Sequence, residues 1–358
     1  MARRLDVAIV GAGVIGLSVA WQLRERGVRA RVFERTGVGA GASGVQPGGV
    51  RQQWGTRINC LLARESVAFY RTQPGFRPCG YLFLAHTDAV LERLRENVRV
   101  QNEAGVPSRV VAPDEAALLV PGLATETVRG GAWCGEDGYF DNGQAVVEAL
   151  AAAADVEIAE VVEIGGDGKL TLRDGRSVRA RHVVVAAGCD SVALLQSLGV
   201  DLPIEPEERH LFLSEPIRER LVEPLVVSPE RRFAAKQLGS GRVLASDLSP
   251  EGDTAGRRAS VRRSIRELLP VLEYVEFTTT LSGVYDVTPD RQAILGQVPG
   301  HDRVWVAAGF SGHGFMLAPA VGRILASAIA GEGFAEALEV LGPSRFAQDR
   351  LVPEPQVI

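Results

Sequence analysis

The sequence predicts an α/β fold with two domains, and three observations carry that expectation. A short apolar run, Leu5 to Val10, leads directly into Gly11-Ala12-Gly13-Val14-Ile15-Gly16 and then into a helical pattern. The far end of the chain repeats the arrangement, with an apolar run at Arg303 to Ala308, glycines at 309 to 314 and a helical stretch from Phe315 to Ala330. Between them, residues 208 to 284 alternate short β-rich runs with charged turns, as in a mixed, largely antiparallel sheet.

Taken in order, Leu5 to Val10 has the continuous hydrophobicity of a buried parallel strand. Apolar positions then recur at helical spacing from Val14 to Arg26, with Gly27 as the C-terminal stop. Ala30 to Phe33 is a second strand ending at Glu34, which lies 18 residues beyond Gly16. Gly37 to Gly49 reads as a loop. Helices are expected at Ile58 to Phe69, at Asp88 to Asn97, from Pro113, and at Asn142 to Ala154, with a strand at Tyr81 to Leu84. Val156 to Ile164 and Lys169 to Leu172 are strand-like, Asp174-Gly175 is a turn, and His182 to Ala186 is a buried strand running into Ala187-Gly188. Within 208 to 284 only Ser260 to Leu269 looks helical, and the tail beyond Glu332 shows no legible chemistry.

Composition excludes several function classes. The chain has 358 residues, of which 46% are hydrophobic, enough for a large core and against a disordered scaffold. Its 44 acidic and 39 basic side chains leave a net charge of -5, which gives no general attraction to nucleic acid. The cysteines, Cys60, Cys79, Cys134 and Cys189, are widely spaced without a CxxC pair; they read as small buried hydrophobes in a reducing compartment, not metal ligands. Neither a signal peptide at Met1 to Asp6 nor a transmembrane run is expected, which points to a cytoplasmic protein, at most peripheral to a membrane. Only Lys169 and Lys236 are lysines, so chemistry that needs a lysine has two candidates.

The glycine turn has a specific physical use. A pyrophosphate must approach bare N–H groups at a helix N-terminus, and side chains at positions 11 or 13 would obstruct it. Gly16 lets helix and strand pack closely, and Glu34 stands where adenine-ribose hydroxyls of a dinucleotide would lie. Strand, turn, helix and acid together predict a Rossmann-like dinucleotide domain, without distinguishing FAD from NAD.

The combination resembles the D-amino-acid oxidase superfamily of FAD-dependent oxidoreductases, especially the glycine oxidase, sarcosine oxidase and dye-linked L-proline dehydrogenase β-subunit group. Several motifs carry the resemblance over residues 5 to 331: the fingerprint with Glu34-Arg35 and Gly41-Ala42-Ser43-Gly44, then Gly49-Val50-Arg51-Gln52-Gln53-Trp54 and Glu136-Asp137-Gly138-Tyr139-Phe140-Asp141. Val185-Ala186-Ala187-Gly188, the run from Ser282 to Asp290, and Gly309-Phe310-Ser311-Gly312-His313-Gly314-Phe315-Met316 complete it.

The resemblance implies an FAD-binding domain from 1-80, 142-205 and 286-335, a substrate domain from 81-141 and 206-285, and a tail at 336-358. It assigns the cofactor to Gly11, Gly13, Val14, Ile15, Gly16, Glu34, Arg35, Ala42, Ser43, Gly49, Val161, Ala187 and Gly188, and to Gly312, His313, Gly314, Phe315 and Met316. Tyr285 stands where glycine and D-amino-acid oxidases carry an arginine and where sarcosine oxidase and proline dehydrogenases carry tyrosine, which favours a small secondary amino acid. The cysteine that tethers flavin in sarcosine oxidase is replaced by Gly283, implying non-covalent FAD, and its carboxylate-binding lysine by Met316. Arg51 is then the expected carboxylate clamp, Tyr285 closes the pocket, Trp54 is a pocket wall or a core aromatic, and His313 orients the turn or is a core histidine.

The implied reaction moves a hydride equivalent from the carbon next to nitrogen onto flavin N5, leaving an imine. Lys236 does not match the oxygen-activating lysine of sarcosine oxidase, so a dehydrogenase passing electrons to a quinone or partner redox protein is favoured slightly over an oxidase. A glycine or D-amino-acid oxidase, a non-catalytic flavin-binding subunit or assembly factor, and an NAD-dependent dehydrogenase stay open, as do homo- and hetero-oligomeric states.

Overall fold

The strand Leu5–Val10 is flanked on both sides by parallel neighbours, which explains why its run from Val7 to Val10 is apolar without alternation. A computed structural model describes residues 5–249, 252–333 and 335–356. The first four residues of the expected basic N-terminus and the last two of the tail lie outside these.

Contacts divide the chain into two units, one from Met1–Gln46, Gln144–Glu207 and Val284–Glu354, the other from Pro47–Gly143, Glu208–Gly283 and Pro355–Ile358. In the first unit, Val156–Ile158, Ala30–Glu34, Leu5–Val10, Ser177–Val185 and His301–Ala308 lie side by side as a parallel sheet, with Ile294–Val298 antiparallel at its edge. Ser177–Val185 serves twice. Its end lies between two parallel strands, and its beginning pairs antiparallel with Lys169–Leu172, which in turn pairs with Val161–Ile164.

The helix Val14–Glu25 ends at Gly27, whose φ of +69° is the left-handed stop that the sequence suggests. It packs against the last helix, Gly314–Ala330, so tightly that a Cβ on Gly322 would lie 2.7 Å from the Ser18 backbone. Val7, Ala8, Ile9, Val183, Val184 and Val185 are completely buried. Each large aliphatic side chain among them contributes roughly 1.5 to 3 kcal/mol through burial.

A mixed sheet, which lies in the second unit except for residues 205–207 and 284–287, runs in the order Phe277–Val287, Glu205–Pro216, Arg242–Asp247, Phe233–Gln237, Leu225–Ser228, Tyr81–Ala85, Gly130–Cys134 and Arg109–Val111. Phe233–Gln237 is antiparallel to both neighbours, whereas Leu225–Ser228 and Tyr81–Ala85 are parallel. A core of Leu82, Phe212, Phe233, Val261, Leu268 and their neighbours lies under the helix Thr254–Leu268, which starts earlier than its sequence pattern suggests because Asp253 caps it. A small sheet of Gly49–Val50, Gly138–Phe140 and Phe76–Arg77 completes the unit.

Several sequence expectations are corrected. The supposed loop from Gly37 to Gly49 contains the helical turn Ala42–Val45, and Val156 to Ile164 is two strands, Val156–Ile158 and Val161–Ile164. Residues 47 to 80 group with the second unit, because the strand Gly49–Val50 pairs with Gly138–Phe140 of that unit. The tail is structured as well. Glu336–Val340 and Ser344–Ala347 are helical, and Arg345 forms a fully buried ion pair with Asp290 at 2.8 Å. Cys60 and Cys134 are buried as expected, but Cys79 and Cys189 are only partly so. Among the described residues no helix is long and apolar enough to cross a membrane.

Candidate functional site

Four strand ends of the first unit converge on the residues predicted to hold the dinucleotide: Val10 runs into Gly11, Ala30–Glu34 ends on its acid, Val185 precedes Ala186-Ala187-Gly188, and Ala308 precedes Gly309. Ligands of parallel α/β sheets sit at the carboxyl ends of the strands for the reason visible here, since helix N-termini and loop N–H groups gather there.

The three glycines of the first turn have different duties. Gly11 has φ +108°, and a Cβ there would collide with the Ala186 carbonyl; one on Gly16 would collide with the Gly11 carbonyl. Both therefore permit close packing of backbone on backbone. A Cβ on Gly13 would meet only the Ser43 hydroxyl, at 3.2 Å, so this position faces open space ahead of the helix. A side chain here would fill the approach to the N-terminal donors, which is the fit a pyrophosphate requires.

Side-chain oxygens already sit on those donors. Ser43 Oγ accepts the Val14 N–H at 2.9 Å, and Glu34 Oε2 accepts the Ala12 N–H at 2.9 Å while Oε1 takes the Thr36 N–H at 2.9 Å. Glu34 thus reaches the glycine turn from the second strand. Arg35 pairs with Asp190 at 2.8 Å on an exposed face, just past Gly188, whose φ is +56°. Ala42 and Ser43 open the helical turn Ala42–Val45, and Ile15 lies against the start of the last helix, its Cδ1 3.7 Å from where a Gly314 Cβ would be. Val161 is buried in the strand Val161–Ile164, opposite Leu172.

The turn before the last helix is held in an unusual backbone path. Gly309, Ser311 and Gly312 have φ of +70°, +51° and +85°. The Tyr285 ring occupies the space where a Gly312 side chain would stand, so Tyr285 and the turn are in direct contact. His313 is buried and donates its N–H to the Phe310 carbonyl at 3.0 Å, while its own carbonyl accepts the Met316 N–H at 3.1 Å. Phe315 and Met316 are buried at the helix start.

In the second unit, Arg51 and Trp54 are interior residues with 0% and 1% exposure. The Arg51 guanidinium lies 3.8 Å over the Trp54 ring, donates to the Gln356 carbonyl at 2.7 Å and also to the Gln53 carbonyl. Trp54 donates from its indole to the Arg51 carbonyl at 3.3 Å. Gly49 is buried in the strand Gly49–Val50.

Two buried ionisable groups of this unit stand out: Asp137, to which the sequence assigns no role, and Lys236, which it offers only as a lysine for oxygen chemistry. Asp137 accepts the Gln52 N–H at 2.9 Å and the Gln53 amide at 3.1 Å. Burial pushes its carboxyl up to about 7, with these hydrogen bonds and the Arg51 charge pulling it back. Lys236 is fully buried, donates to the carbonyls of Pro47 and Phe140, and lies 4.0 Å over the Tyr139 ring. Burial lowers its ammonium to about 7. Charged side chains ordinarily mark surface, so the local sequence does not signal that either one is buried.

Fold and strand-end geometry together define a dinucleotide-binding α/β protein. The family model described as DAO, FAD dependent oxidoreductase, matches residues 6–328, and the chain belongs to that family. FAD-dependent oxidoreductase domain-containing protein 1 of Xenopus laevis is 28% identical over 401 residues, covering 93% of this chain and 80% of that protein. Glycine oxidase of Geobacillus kaustophilus is 28% identical over 356 residues, covering 92% of this chain and 94% of its own. The crystal structure of L-proline dehydrogenase from P. horikoshii matches with a TM-score of 0.92 at 26% identity, covering 98% of this chain and 100% of that one. FAD is therefore the dinucleotide, and the protein is an FAD-dependent oxidoreductase.

Proposed function

We propose that this protein oxidises the C–N bond of a small amino acid to an imine, with preference for a secondary amine such as proline or sarcosine, and that it holds FAD without a covalent bond. The observation that carries this reading is Tyr285, whose ring rests on Gly312 immediately before the last helix. In the resemblance, that position separates enzymes with tyrosine, which act on secondary amino acids, from those with arginine. Similarity over nearly the whole chain to a glycine oxidase and to an L-proline dehydrogenase supports amino acids as the substrate class.

Bound FAD supplies the two-electron acceptor for the oxidation. The chain's own residues supply placement. Gly11, Gly13, Val14, Ile15, Gly16 and Ser43 would hold the pyrophosphate. Glu34 and Arg35, with Ala42 and Gly49, would serve the adenosine side, together with Val161, Ala187 and Gly188. Gly312 to Met316 would hold the pyrimidine end of the ring, where helix N–H groups favour negative charge. Tyr285 would limit the substrate pocket and exclude water from it. Arg51 would take the substrate carboxylate in exchange for the Gln356 carbonyl, since a guanidinium binds a carboxylate more strongly than it binds a neutral acceptor.

Dehydrogenase action with a quinone or a partner redox protein is favoured over oxidase action, because Lys236 is committed to main-chain carbonyls. Comparing kcat/KM for L-proline, sarcosine, glycine and D-alanine, each with an artificial dye and with oxygen, tests both parts. Higher values for the secondary amines, and for the dye, are expected. A preference for glycine or D-alanine refutes the substrate assignment. A mass increment equal to FAD on the denatured chain refutes non-covalent binding.

A further inference from the structure

The acid that follows Tyr285 has no role in the reading above. Asp286 Oδ2 accepts the N–H of Gly309 at 2.7 Å, and its main-chain carbonyl accepts the N–H of Ser311 at 3.1 Å. Two residues further on, the Thr288 N–H donates to Ser311 Oγ at 3.3 Å, and the Thr288 hydroxyl donates to the Gln292 carbonyl at 2.8 Å. The Gly309 to Ser311 turn is thus gripped from one stretch of chain, residues 286 to 288.

The turn needs such a grip. Ser311 is a non-glycine residue at φ +51°, with left-handed Gly309 two residues before it and left-handed Gly312 directly after, and a strained backbone of this kind persists only where its surroundings over-determine it. Yet a carboxylate is an expensive means of doing so. Burial raises the Asp286 carboxyl above its ordinary range, and N–H groups of Phe310, Gly309 and Ser311 draw it back only in part. A neutral amide could accept the same Gly309 hydrogen bond.

What a neutral amide lacks is the charge. The turn runs directly into the helix Gly314–Ala330, whose N-terminal N–H groups carry positive partial charge. A carboxylate bonded to the Gly309 N–H, on the turn that leads into this helix, opposes that potential. We propose that Asp286 is a positioning residue for the flavin: it fixes the Gly309 to Gly312 turn in the shape that receives the ring, and its charge limits how far this helix start stabilises the reduced, anionic ring. This rests on the reading that the turn faces the flavin.

The test begins with the FAD content of the wild-type protein, since a chain that takes up no FAD defeats the flavin reading and this inference with it, whereas differences among variants of a flavin-loaded protein bear on this inference alone. Sulfite affinity and midpoint potential of the bound flavin are then measured for wild type, Asp286→Asn and Thr288→Val. Asp286→Asn should keep its flavin, bind sulfite about tenfold more tightly and shift the potential upward by ~30 mV, the two-electron equivalent of tenfold. Thr288→Val loosens the turn without altering charge, so it should weaken FAD binding and leave the potential in place. An Asp286→Asn protein with sulfite affinity and potential within twofold of wild type overturns the proposal. Should the Asn variant lose its flavin, Asp286→Glu, which retains the charge, must restore binding with wild-type sulfite affinity; a Glu variant that binds no better overturns it equally.

Discussion

The Gly11 to Gly16 turn and the Arg51 to Trp54 segment lie only some forty residues apart in sequence, and both put polar groups into the interior of their unit. They do so in opposite ways. In the turn, side chains are deleted: Gly11 and Gly16 let backbone lie on backbone, and Gly13 leaves room in front of helix N–H donors. In the segment, side chains fill everything. Arg51 stacks on Trp54 and holds two carbonyls, the Trp54 indole holds the Arg51 carbonyl, and Gln52 and Gln53 bind Asp137. The lesson is that a motif made of absences leaves room for a ligand, whereas a motif made of large polar side chains can meet most of its needs from neighbours in its own protein.

The largest expected effects come from the backbone glycines. Gly11→Ala or Gly16→Ala places a Cβ against a carbonyl oxygen, and Gly11 also has a left-handed φ. Strain of about 1 to 3 kcal/mol at the site, added to the displaced cradle, should weaken FAD binding by roughly 100-fold and lower the melting temperature of the apoprotein. Reconstitution titrations and calorimetry check both.

Arg51→Ala comes next and probes the other side of the comparison. It removes a buried cation from Trp54 and from two carbonyls, so the apoprotein should lose about 2 to 4 kcal/mol of stability. Unchanged denaturation midpoints would show that the segment is not held as described. A rise in KM confined to carboxylated substrates, in protein that remains folded, would sharpen the proposed clamp.

Gly13→Ala should separate ligand from fold, because its Cβ meets only the Ser43 hydroxyl. We expect an apoprotein with a wild-type melting temperature and FAD affinity reduced by about tenfold. Equal damage to both would mean that Gly13 serves packing, as Gly11 does.

Much of this was legible in advance, and for physical reasons. The strand Leu5–Val10, the helix Val14–Glu25 and the acid at Glu34 are local features whose periodicity and spacing survive any tertiary context. The last strand and helix were equally readable, since Gly309 to Gly314 repeats the pattern. What escaped was non-local. In the sequence Asp286 and Asp137 are only members of motifs and Lys236 only a poor match to an oxygen-activating lysine; only the fold shows them buried beside main-chain partners. The tail looked featureless because the partner of Arg345 is Asp290, 55 positions away.

The buried lysine yields a smaller, pH-dependent effect. Its folded value, about 7, lies below the ordinary 10.5, so between these pH values the unfolded chain binds more protons than the folded one. Lys236 therefore makes the protein gain stability as pH rises from 7 toward 10, with the penalty of burying the charge felt in full below 7. Lys236→Met should flatten that slope in thermal melts. A slope identical to wild type would show that the ammonium is not desolvated. Smallest of all is Arg35→Ala, whose partner Asp190 is half exposed; less than about 1 kcal/mol of stability is expected, and any larger loss of FAD affinity would assign Arg35 to the cofactor rather than to its ion pair.

The central claim is that this chain carries FAD and passes to it two electrons from a small amino acid. Anaerobic addition of L-proline or sarcosine to the purified yellow protein, followed by absorbance near the flavin band, tests that claim in one cuvette. The account predicts bleaching by at least one of the two and recovery of the colour on adding an electron-accepting dye. A flavin that stays oxidised in the presence of both, and of glycine and D-amino acids as well, would contradict it.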